Sequence, residues 1–300
     1  MQILLIGKDG QVGRELSRSL ITLGQITALG RAELDLTNPN AIKKTVQQLQ
    51  PNVIINAAAY TAVDKAEAHP EDAYKVNQEA VIQLADYAKH HNAILVHYST
   101  DYVFDGNKQG AYHEEDETNP LNIYGASKLA GEKAILDSTC RGYIFRTSWV
   151  YALHGQNFIK TILRLARHKE SLTVIHDQQG APTSAELISD ITLLAIHWAL
   201  REQFAPGIYH LTPNGITTWY DLASFIVEQA HLSGARLQLE SSKILPILSE
   251  DYPSLATRPK NSVLNNQKLA SDLRIILPNW KIHVNRIISQ LIQIGYFNEA

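Results

Sequence analysis

The sequence predicts an α/β fold in which a doubly wound parallel sheet is joined to a smaller, interleaved C-terminal lobe. Three observations support this prediction. Short, continuously apolar runs alternate with segments of helical period throughout the first half of the chain. The alternation loosens after Trp149, where longer loops rich in Pro, Gly and Ser separate the helical segments. Finally, 300 residues of which 45% are hydrophobic supply enough apolar surface for a large core.

The first half of the chain contains alternating strand and helix signals. Strands are predicted over residues 3–6, 25–29, 53–55, 93–98 and 142–145. Helices are predicted over residues 12–23, 41–49, 73–90 and 126–136. Asn38 and Pro39 precede the second helix, and a capping residue followed by proline is typical of a helix start. Because the strands are apolar on both faces, we expect a parallel sheet covered by helices on both sides.

The second half is predicted to form the smaller lobe. Its helices are expected over residues 158–167, 185–200 and 220–231. Pro253 and Pro259 flank a stretch with no clear period. We therefore predict a first domain over residues 1–150 and a lobe over residues 151–300, some elements of which return to the sheet of the first domain.

Composition and charge exclude several classes of partner. Lys and Arg (27) against Asp and Glu (30) give a net charge of -3, which provides no general attraction to nucleic acid or anionic lipid. The most apolar stretch, residues 53–63, is shorter than the roughly 20 residues of a bilayer span. The single cysteine, Cys140, permits no internal disulfide, and the N-terminus does not resemble a secretion signal. We expect a cytoplasmic protein with no nucleic-acid or membrane partner.

A glycine-rich loop follows the first predicted strand and leads into a helix. Its GxxGxxG spacing consists of Gly7, Gly10 and Gly13, with Gln11 and Val12 between the last two. Glycine lets a diphosphate approach the backbone, and the helix N-terminus presents amides and a partial positive charge to it. The motif predicts that the first domain is a Rossmann-type NAD(P)-binding domain and leaves the second lobe for the substrate.

The end of the second predicted strand bears on the choice of cofactor. NAD-binding proteins usually place an acidic residue there, which binds the adenosine ribose. Here the strand is followed by Arg31, whose guanidinium suits the 2'-phosphate of NADP. Glu33 lies close by, so NADPH is expected as the preferred cofactor while NADH stays open. Asp35 and Leu36 are expected beside the adenine.

Tyr124 and Lys128 are candidates for carbonyl chemistry. They stand four positions apart at the start of a predicted helix, so both side chains lie on one face. A nearby ammonium favours the phenolate and should lower the pKa of Tyr124 towards working pH, as acid catalysis on a carbonyl requires. Ser99 and Thr100 add hydroxyls at the C-terminal end of a strand, where open parallel sheets bind ligands.

Together, these motifs resemble the dTDP-4-dehydrorhamnose reductase family of extended short-chain dehydrogenases/reductases. The resemblance covers essentially the whole chain. It comprises GKDGQVG from Gly7, NAAAYTAVDKAE from Asn56, STDYVFDG from Ser99, YGASKLAGE from Tyr124, FRTSWVY from Phe145, DQQGAPT from Asp177 and RPKNSVL from Arg258. It implies reduction of dTDP-4-dehydro-6-deoxy-L-mannose to dTDP-L-rhamnose.

The resemblance also assigns roles to individual residues. Thr100 would hydrogen-bond the substrate C4 carbonyl, Tyr124 would protonate its oxygen, and Lys128 would hold the nicotinamide ribose. Further residues of the cofactor site would be Ala59, Tyr60, Thr61 and Tyr98. Those of the substrate site would be Thr100, Asp101, Trp149 and Arg258, the last of them pairing with the diphosphate.

Three carboxylates resemble a metal site of some family members. Glu15, Glu186 and Asp190 would bind Mg²⁺ at the interface of a homodimer, and oxygen ligands suit that cation. A local explanation stays open for Glu186, because Thr183 and Glu186 have the T-x-x-E spacing of a helix capping box.

Two other functions remain open. A sugar-nucleotide epimerase or dehydratase would retain the glycine loop and the Tyr-Lys pair. Dehydratases, however, place an acid pair after the strand-end hydroxyl, whereas here Asp101 is followed by Tyr102. A non-catalytic NADP-binding subunit, of the kind found beside methionine adenosyltransferase, would share the fold without the reaction.

Overall fold

Apolar runs near the N-terminus form the centre of the main sheet in the computed structural model, which describes residues 1–296. Residues 297–300 of the predicted second lobe lie outside the described residues. The strands are β1 (Gln2–Ile6), β2 (Gln25–Leu29), β3 (Val53–Asn56), β4 (Ile94–Thr100), β5 (Arg141–Thr147), β6 (Val150–Tyr151), β7 (Leu172–Ile175), β8 (Gln179–Gly180), β9 (Thr183–Ser184), β10 (Gly207–His210), β11 (Thr217–Thr218) and β12 (Ile244–Ile247).

The main sheet has six strands in the order β10-β5-β4-β3-β1-β2, and every neighbouring pair is parallel. Strands β3 and β4 are buried along their whole length, as expected for a sheet covered on both faces. The predicted parallel α/β fold is confirmed. The strand order changes direction between β1 and β3, and a ligand site is expected at the carboxyl ends of strands at such a point.

The helices cover both faces of this sheet and fill the second half of the chain. They are α1 (Gln11–Ser19), α2 (Pro39–Leu49), α3 (Val63–Ala68), α4 (Pro70–Tyr74), α5 (Ala80–His91), α6 (Ile123–Ser138), α7 (Phe158–Ala166), α8 (Ala185–Ala199), α9 (Trp219–Leu232), α10 (Gln267–Leu273) and α11 (Trp280–Gln293). Helices α1 and α8 pack together on one face of the sheet, and α2, α5 and α6 lie on the other. The predicted start of α2 is confirmed, since the Asn38 side chain caps it and Pro39 follows.

A separate apolar cluster holds the second half together. Helices α7, α9 and α11 contribute Leu163, Ile226 and Ile288 to it, and the parallel pair β7–β12 covers one side. Strand β10 leaves this region and joins the edge of the main sheet beside β5. Elements of the second half thus pack both in their own core and against the first half.

Three local predictions need correction. The helix predicted over residues 12–23 ends at Ser19 and continues as a 3₁₀ turn, Leu20–Thr22. The helix predicted over residues 73–90 is interrupted by a π-helical segment, Lys75–Glu79. The predicted capping box is wrong: Thr183 lies in β9 with its hydroxyl bonded to the Ala181 carbonyl, and Ser184 caps α8.

The helices were also compared with the requirements of a membrane span. In the part of the chain from residue 1 to residue 296, none is both long enough and apolar enough to cross a bilayer.

Candidate active site

The glycine loop occupies the turn between β1 and α1. Gly7 has a φ of +91°, and a Cβ there would lie 2.7 Å from the Ala58 amide nitrogen. A Cβ on Gly13 would press on the Gly7 carbonyl group, so the loop and the first turn of α1 pack directly together. Gly10 caps α1 without a side chain, and the first turn of the helix carries no acidic residue. The turn therefore presents open helix amides to an anion.

A cleft of about 740 Å³ runs from this loop along the carboxyl ends of the strands. All but one of the residues predicted to bind the cofactor line this cleft, and the exception is Gly13, which packs beneath the loop. The lining residues are Gly7, Gly10, Gln11, Val12, Arg31, Asp35, Leu36, Ala59, Tyr60, Thr61, Tyr98, Tyr124 and Lys128. The cleft has the size typical of sites for small molecules and cofactors.

Arg31 and Glu33 differ in their surroundings at the β2 end of the cleft. Glu33 accepts a hydrogen bond from the Gly30 amide at 2.9 Å and pairs with Lys8. This carboxylate is thereby held by the protein. Arg31 is exposed and lines the cleft, where its charge helps to lower the pKa of Asp35 after the larger effect of hydrogen bonds from Thr37.

Thr100, Tyr124 and Lys128 line the same cleft. Thr100 ends β4, and its hydroxyl donates to Asp101 Oδ1 at 3.0 Å. Asn122 caps α6 by accepting from the Gly125 amide, which places Tyr124 in the first turn and Lys128 one turn later. The predicted trio is thus brought together from the end of one strand and the start of one helix.

The protonation of Tyr124 differs from the sequence expectation. Burial raises its pKa to about 12, although a hydrogen bond with Thr100 acts in the opposite direction. Lys128, whose Nζ atom lies 3.0 Å from the His97 ring, does not contribute to the pKa of Tyr124. In this structure Tyr124 therefore keeps its proton at neutral pH, the form that a proton donor requires.

Polar groups on the substrate side are buried and only partly paired. Burial raises the pKa of Asp101 to about 6, opposed by its hydrogen bonds. Ser99 Oγ and Thr147 Oγ1 are buried in the cleft wall and have no hydrogen-bond partner among the described residues. Buried hydroxyls of this kind normally find a partner, so they favour a polar ligand in the cleft.

Trp149 lies at the far side of the cleft. Its backbone has a φ of +48°, a conformation that is rare for a bulky residue. Its ring stacks on Trp219, with 3.6 Å between ring centroids and 11° between planes. Trp219 also lines the cleft but was missed by the sequence analysis, because its position at the start of α9 carries no motif.

Arg258 is held differently from its predicted role. Its guanidinium pairs with Asp64, with 2.7 Å between Nη2 and Oδ2, and it also bonds to Ser254. This bonding lowers the pKa of Asp64 to about 2. Arg258 is therefore tied to the segment after β3 and does not line the cleft in this state.

Glu15, Glu186 and Asp190 do converge, in a second cleft between α1, α8 and α11. Arginines accompany them there: Arg18 lies 3.1 Å from Glu15 and 3.6 Å from Asp190, and Arg286 lies 3.2 Å from Glu186. Within residues 1–296, no group of three or more His, Cys, Asp or Glu side chains could hold a metal ion. The magnesium site at a dimer interface stays a prediction.

Comparison with known proteins supports the resemblance. The family model for the RmlD substrate binding domain matches residues 1–293. The dTDP-4-dehydrorhamnose reductase of Escherichia coli (strain K12) is 47% identical over 295 residues, which cover 97% of this chain and 98% of that protein. This chain belongs to the dTDP-4-dehydrorhamnose reductase family. The family resemblance predicted from the sequence motifs is confirmed.

Solved structures of dTDP-4-dehydrorhamnose reductases have the same fold. The Bacillus anthracis structure, in complex with NADP, has a TM-score of 0.88 and 32% identity, covering 96% of this chain and 99% of that one. The Clostridium acetobutylicum structure has a TM-score of 0.88 and 36% identity, covering 99% of this chain and all of that one (100%).

Proposed function

We propose that this protein is an NADPH-dependent reductase of the C4 keto group of dTDP-4-dehydro-6-deoxy-L-mannose, with dTDP-L-rhamnose as the product. The observation that carries this proposal is the convergence of Thr100, Tyr124 and Lys128 with the glycine loop on one cleft, in a chain that belongs to the reductase family. An enzyme of this class supplies a precursor for polysaccharide synthesis.

The chain's own residues would handle the proton of the reaction. When bound, the nicotinamide supplies a hydride to the C4 carbon. Tyr124, protonated in this structure, would transfer its phenolic proton to the carbonyl oxygen. Thr100 would turn its hydroxyl from Asp101 to the same oxygen, and Lys128 would hold the nicotinamide ribose.

The remaining cofactor contacts would come from the first half. Gly7, Gly10 and Gly13 would allow the diphosphate to approach the loop. Arg31 would bind the 2'-phosphate, since the nearby carboxylate of Glu33 is paired with Lys8 and does not compete for Arg31. The preference for NADPH over NADH rests on that arginine.

We propose that residues 1–150 form the NAD(P)-binding domain and residues 151–300 mainly the substrate lobe. Asp101, with Trp149 from the end of the first half, would contact the sugar nucleotide, and Trp219 would extend the aromatic surface. Arg258 would reach the diphosphate only after leaving Asp64. A cytoplasmic location is also proposed, on the ground that the single cysteine permits no structural disulfide.

A magnesium-bridged homodimer is proposed separately. It requires two copies of the carboxylate cleft to face each other, with Mg²⁺ displacing Arg18 and Arg286 from Glu15, Glu186 and Asp190. Sedimentation in Mg²⁺ and in chelator tests it, and a monomer in saturating Mg²⁺ would end the proposal.

The other two functions are not favoured. The chain matches named reductases over nearly its full length, and Thr100, Tyr124 and Lys128 are all present in the cleft. A regulatory subunit would not need this trio, and no acid pair of the dehydratase type follows Thr100.

The deciding experiment is NADPH oxidation with the dTDP-linked keto-sugar. Wild type should turn over, whereas Tyr124→Phe should bind NADPH normally and lose about 10²-fold or more in kcat. Absence of oxidation by wild type would overturn the function, and normal turnover by Tyr124→Phe would overturn the role of the tyrosine.

A further inference from the structure

Lys128, His97 and Asn56 form a row of buried polar side chains in which each contacts the next. This row connects α6 to the glycine loop. Its Nζ atom lies 3.0 Å from His97 Nε2, and His97 Nδ1 lies 3.3 Å from Asn56 Nδ2. Asn56 Oδ1 in turn accepts from the Ala58 amide at 3.2 Å. Lys128, His97 and Asn56 are each about 1% exposed, so water does not complete these bonds.

The register of β3 and β4 brings these side chains into contact. Asn56 ends β3 and is the direct partner of His97 on β4 in the parallel ladder, so both side chains point to the same face of the sheet. Helix α6 packs on β4 and brings Lys128 to the outer nitrogen of His97. Beyond Asn56, the Ala58 amide lies against Gly7 of the cofactor loop.

The direction of each hydrogen bond follows from its fixed end. A backbone amide can only donate, so the Asn56 atom facing Ala58 is the oxygen and the one facing His97 is the NH₂ group. His97 Nδ1 must then accept, which places the proton of the neutral ring on Nε2. That N–H points at Lys128 Nζ, which must offer a lone pair. A lysine offers one only as the amine.

An ammonium on Lys128 would break this chain of bonds. It would require His97 Nε2 to accept, so that a proton on Nδ1 would face the Asn56 NH₂ group. Turning the amide would only move the donor–donor contact to Ala58. Because a buried donor without an acceptor loses its hydrogen bonds to water and gains none, this set of hydrogen bonds favours the amine.

We propose that His97 is a positioning residue which, together with Asn56, holds Lys128 as the neutral amine before the cofactor binds, so that cofactor binding is coupled to proton uptake by this lysine. The proposal deepens the proposed function and rests on it only for the binding of NADPH. Proton uptake would give Lys128 its charge at the moment when it meets the cofactor ribose, and this charge would then stabilise the tyrosinate left after proton transfer.

The surrounding charges agree with this proposal. Burial lowers the pKa of Lys128 to about 7, with Glu132 acting in the opposite direction. Glu132 is already paired with Arg146 at 2.7 Å and so offers Lys128 less than a full negative charge. Tyr124, on the same helix, keeps its proton. Burial lowers the pKa of His97 well below its usual value, so the ring is neutral.

The first test is the tautomer of His97 in the cofactor-free protein. Nitrogen-15 NMR of labelled histidine shows which ring nitrogen carries the proton, and His97→Gln identifies the signal. We expect a neutral ring protonated on Nε2. A ring protonated on Nδ1 would overturn the proposal, and this measurement does not need an active enzyme.

The second test counts protons during NADPH binding by calorimetry in buffers of different ionisation enthalpy. At about pH 8, more than about half a proton should be taken up per NADPH, because burial lowers the pKa of Lys128 enough for the amine to dominate at that pH. Asn56→Asp should abolish most of this uptake, since a carboxylate accepts from both Ala58 and His97 and lets Nε2 accept from an ammonium.

Asn52→Asp is the matched control. It adds the same charge just before β3, at the opposite end of the strand, and keeps an acceptor for the Gln2 amide. Uptake should match wild type there. Equal uptake in wild type and Asn56→Asp, or none in wild type, would overturn the coupling. Expected proton uptake in an enzyme that leaves the keto-sugar unreduced would overturn only the proposed function.

Discussion

Two glycines of the cofactor loop should respond differently to the same added methyl group. In Gly13→Ala the new Cβ would lie 2.7 Å from the Gly7 carbonyl carbon and 2.9 Å from Lys8 Cα, which are backbone atoms that cannot rotate away. In Gly10→Ala the nearest atom would be the Gly7 oxygen at 3.4 Å, an ordinary contact. The first change therefore disturbs the protein, whereas the second adds bulk only where a ligand would approach.

The magnitudes follow from these contacts. Overpacking against Gly7 should cost about 2–3 kcal/mol, and the better helix propensity of alanine returns about 1 kcal/mol, so Gly13→Ala should lower the free energy of unfolding by about 1–2 kcal/mol. Gly10→Ala should change it by less than about 0.5 kcal/mol, because the weaker N-cap is offset by a stiffer unfolded chain. Its NADPH affinity should nevertheless fall about 10-fold or more, or about 1.4 kcal/mol.

Urea unfolding without cofactor and fluorescence titration with NADPH separate the two effects. Equal stability of Gly13→Ala and wild type would show that the loop and α1 are not packed as described. Wild-type affinity in Gly10→Ala would show that the diphosphate does not approach this part of the loop.

Other substitutions test the ion pairs and the cofactor preference. Glu132→Gln leaves Arg146 buried without its carboxylate and should lower the free energy of unfolding by about 3–5 kcal/mol in urea; a loss below about 1 kcal/mol would contradict this. Asp64 has its pKa lowered to about 2 by Arg258, so its stabilising effect should be complete above about pH 4 and lost as pH falls through about 2. Because this pair is partly exposed, the effect should stay below about 1 kcal/mol, and Asp64→Asn should remove that pH dependence from the unfolding curve. Arg31→Ala should lower kcat/KM for NADPH about 10-fold or more while sparing NADH, and an unchanged ratio would refute the role of the arginine.

Much of the first half could be predicted because its signals are local. Strand β2 was placed at its observed bounds, and the start of α2 follows from Asn38 and Pro39, whose capping needs no distant partner. The π-helical segment Lys75–Glu79 could not be predicted in this way. Within it, Asn77 bonds to the backbone of Tyr60 and to Ser127, residues far away in the chain.

The second half was harder to predict because its elements depend on distant pairing. Strand β10 is four residues long and acquires its place only by lying beside β5. The T-x-x-E spacing at Thr183 suggested a cap, but pairing of β9 with β6 draws Thr183 into a strand and leaves the cap to Ser184. Competition between a local hydrogen bond and a ladder is decided by the partner strand, which a local pattern does not contain.

The sequence alone predicted the glycine loop, the candidate trio of Thr100, Tyr124 and Lys128, and the family, because glycine conformation, helical spacing and motif identity are properties of short segments. Only the tertiary structure decided the state of these groups. It showed that burial keeps the proton on Tyr124, that Lys128 meets His97, and that Arg258 is held by Asp64. Protonation and pairing depend on how much water is excluded and on which dipoles face a group, and residues distant in the chain supply both.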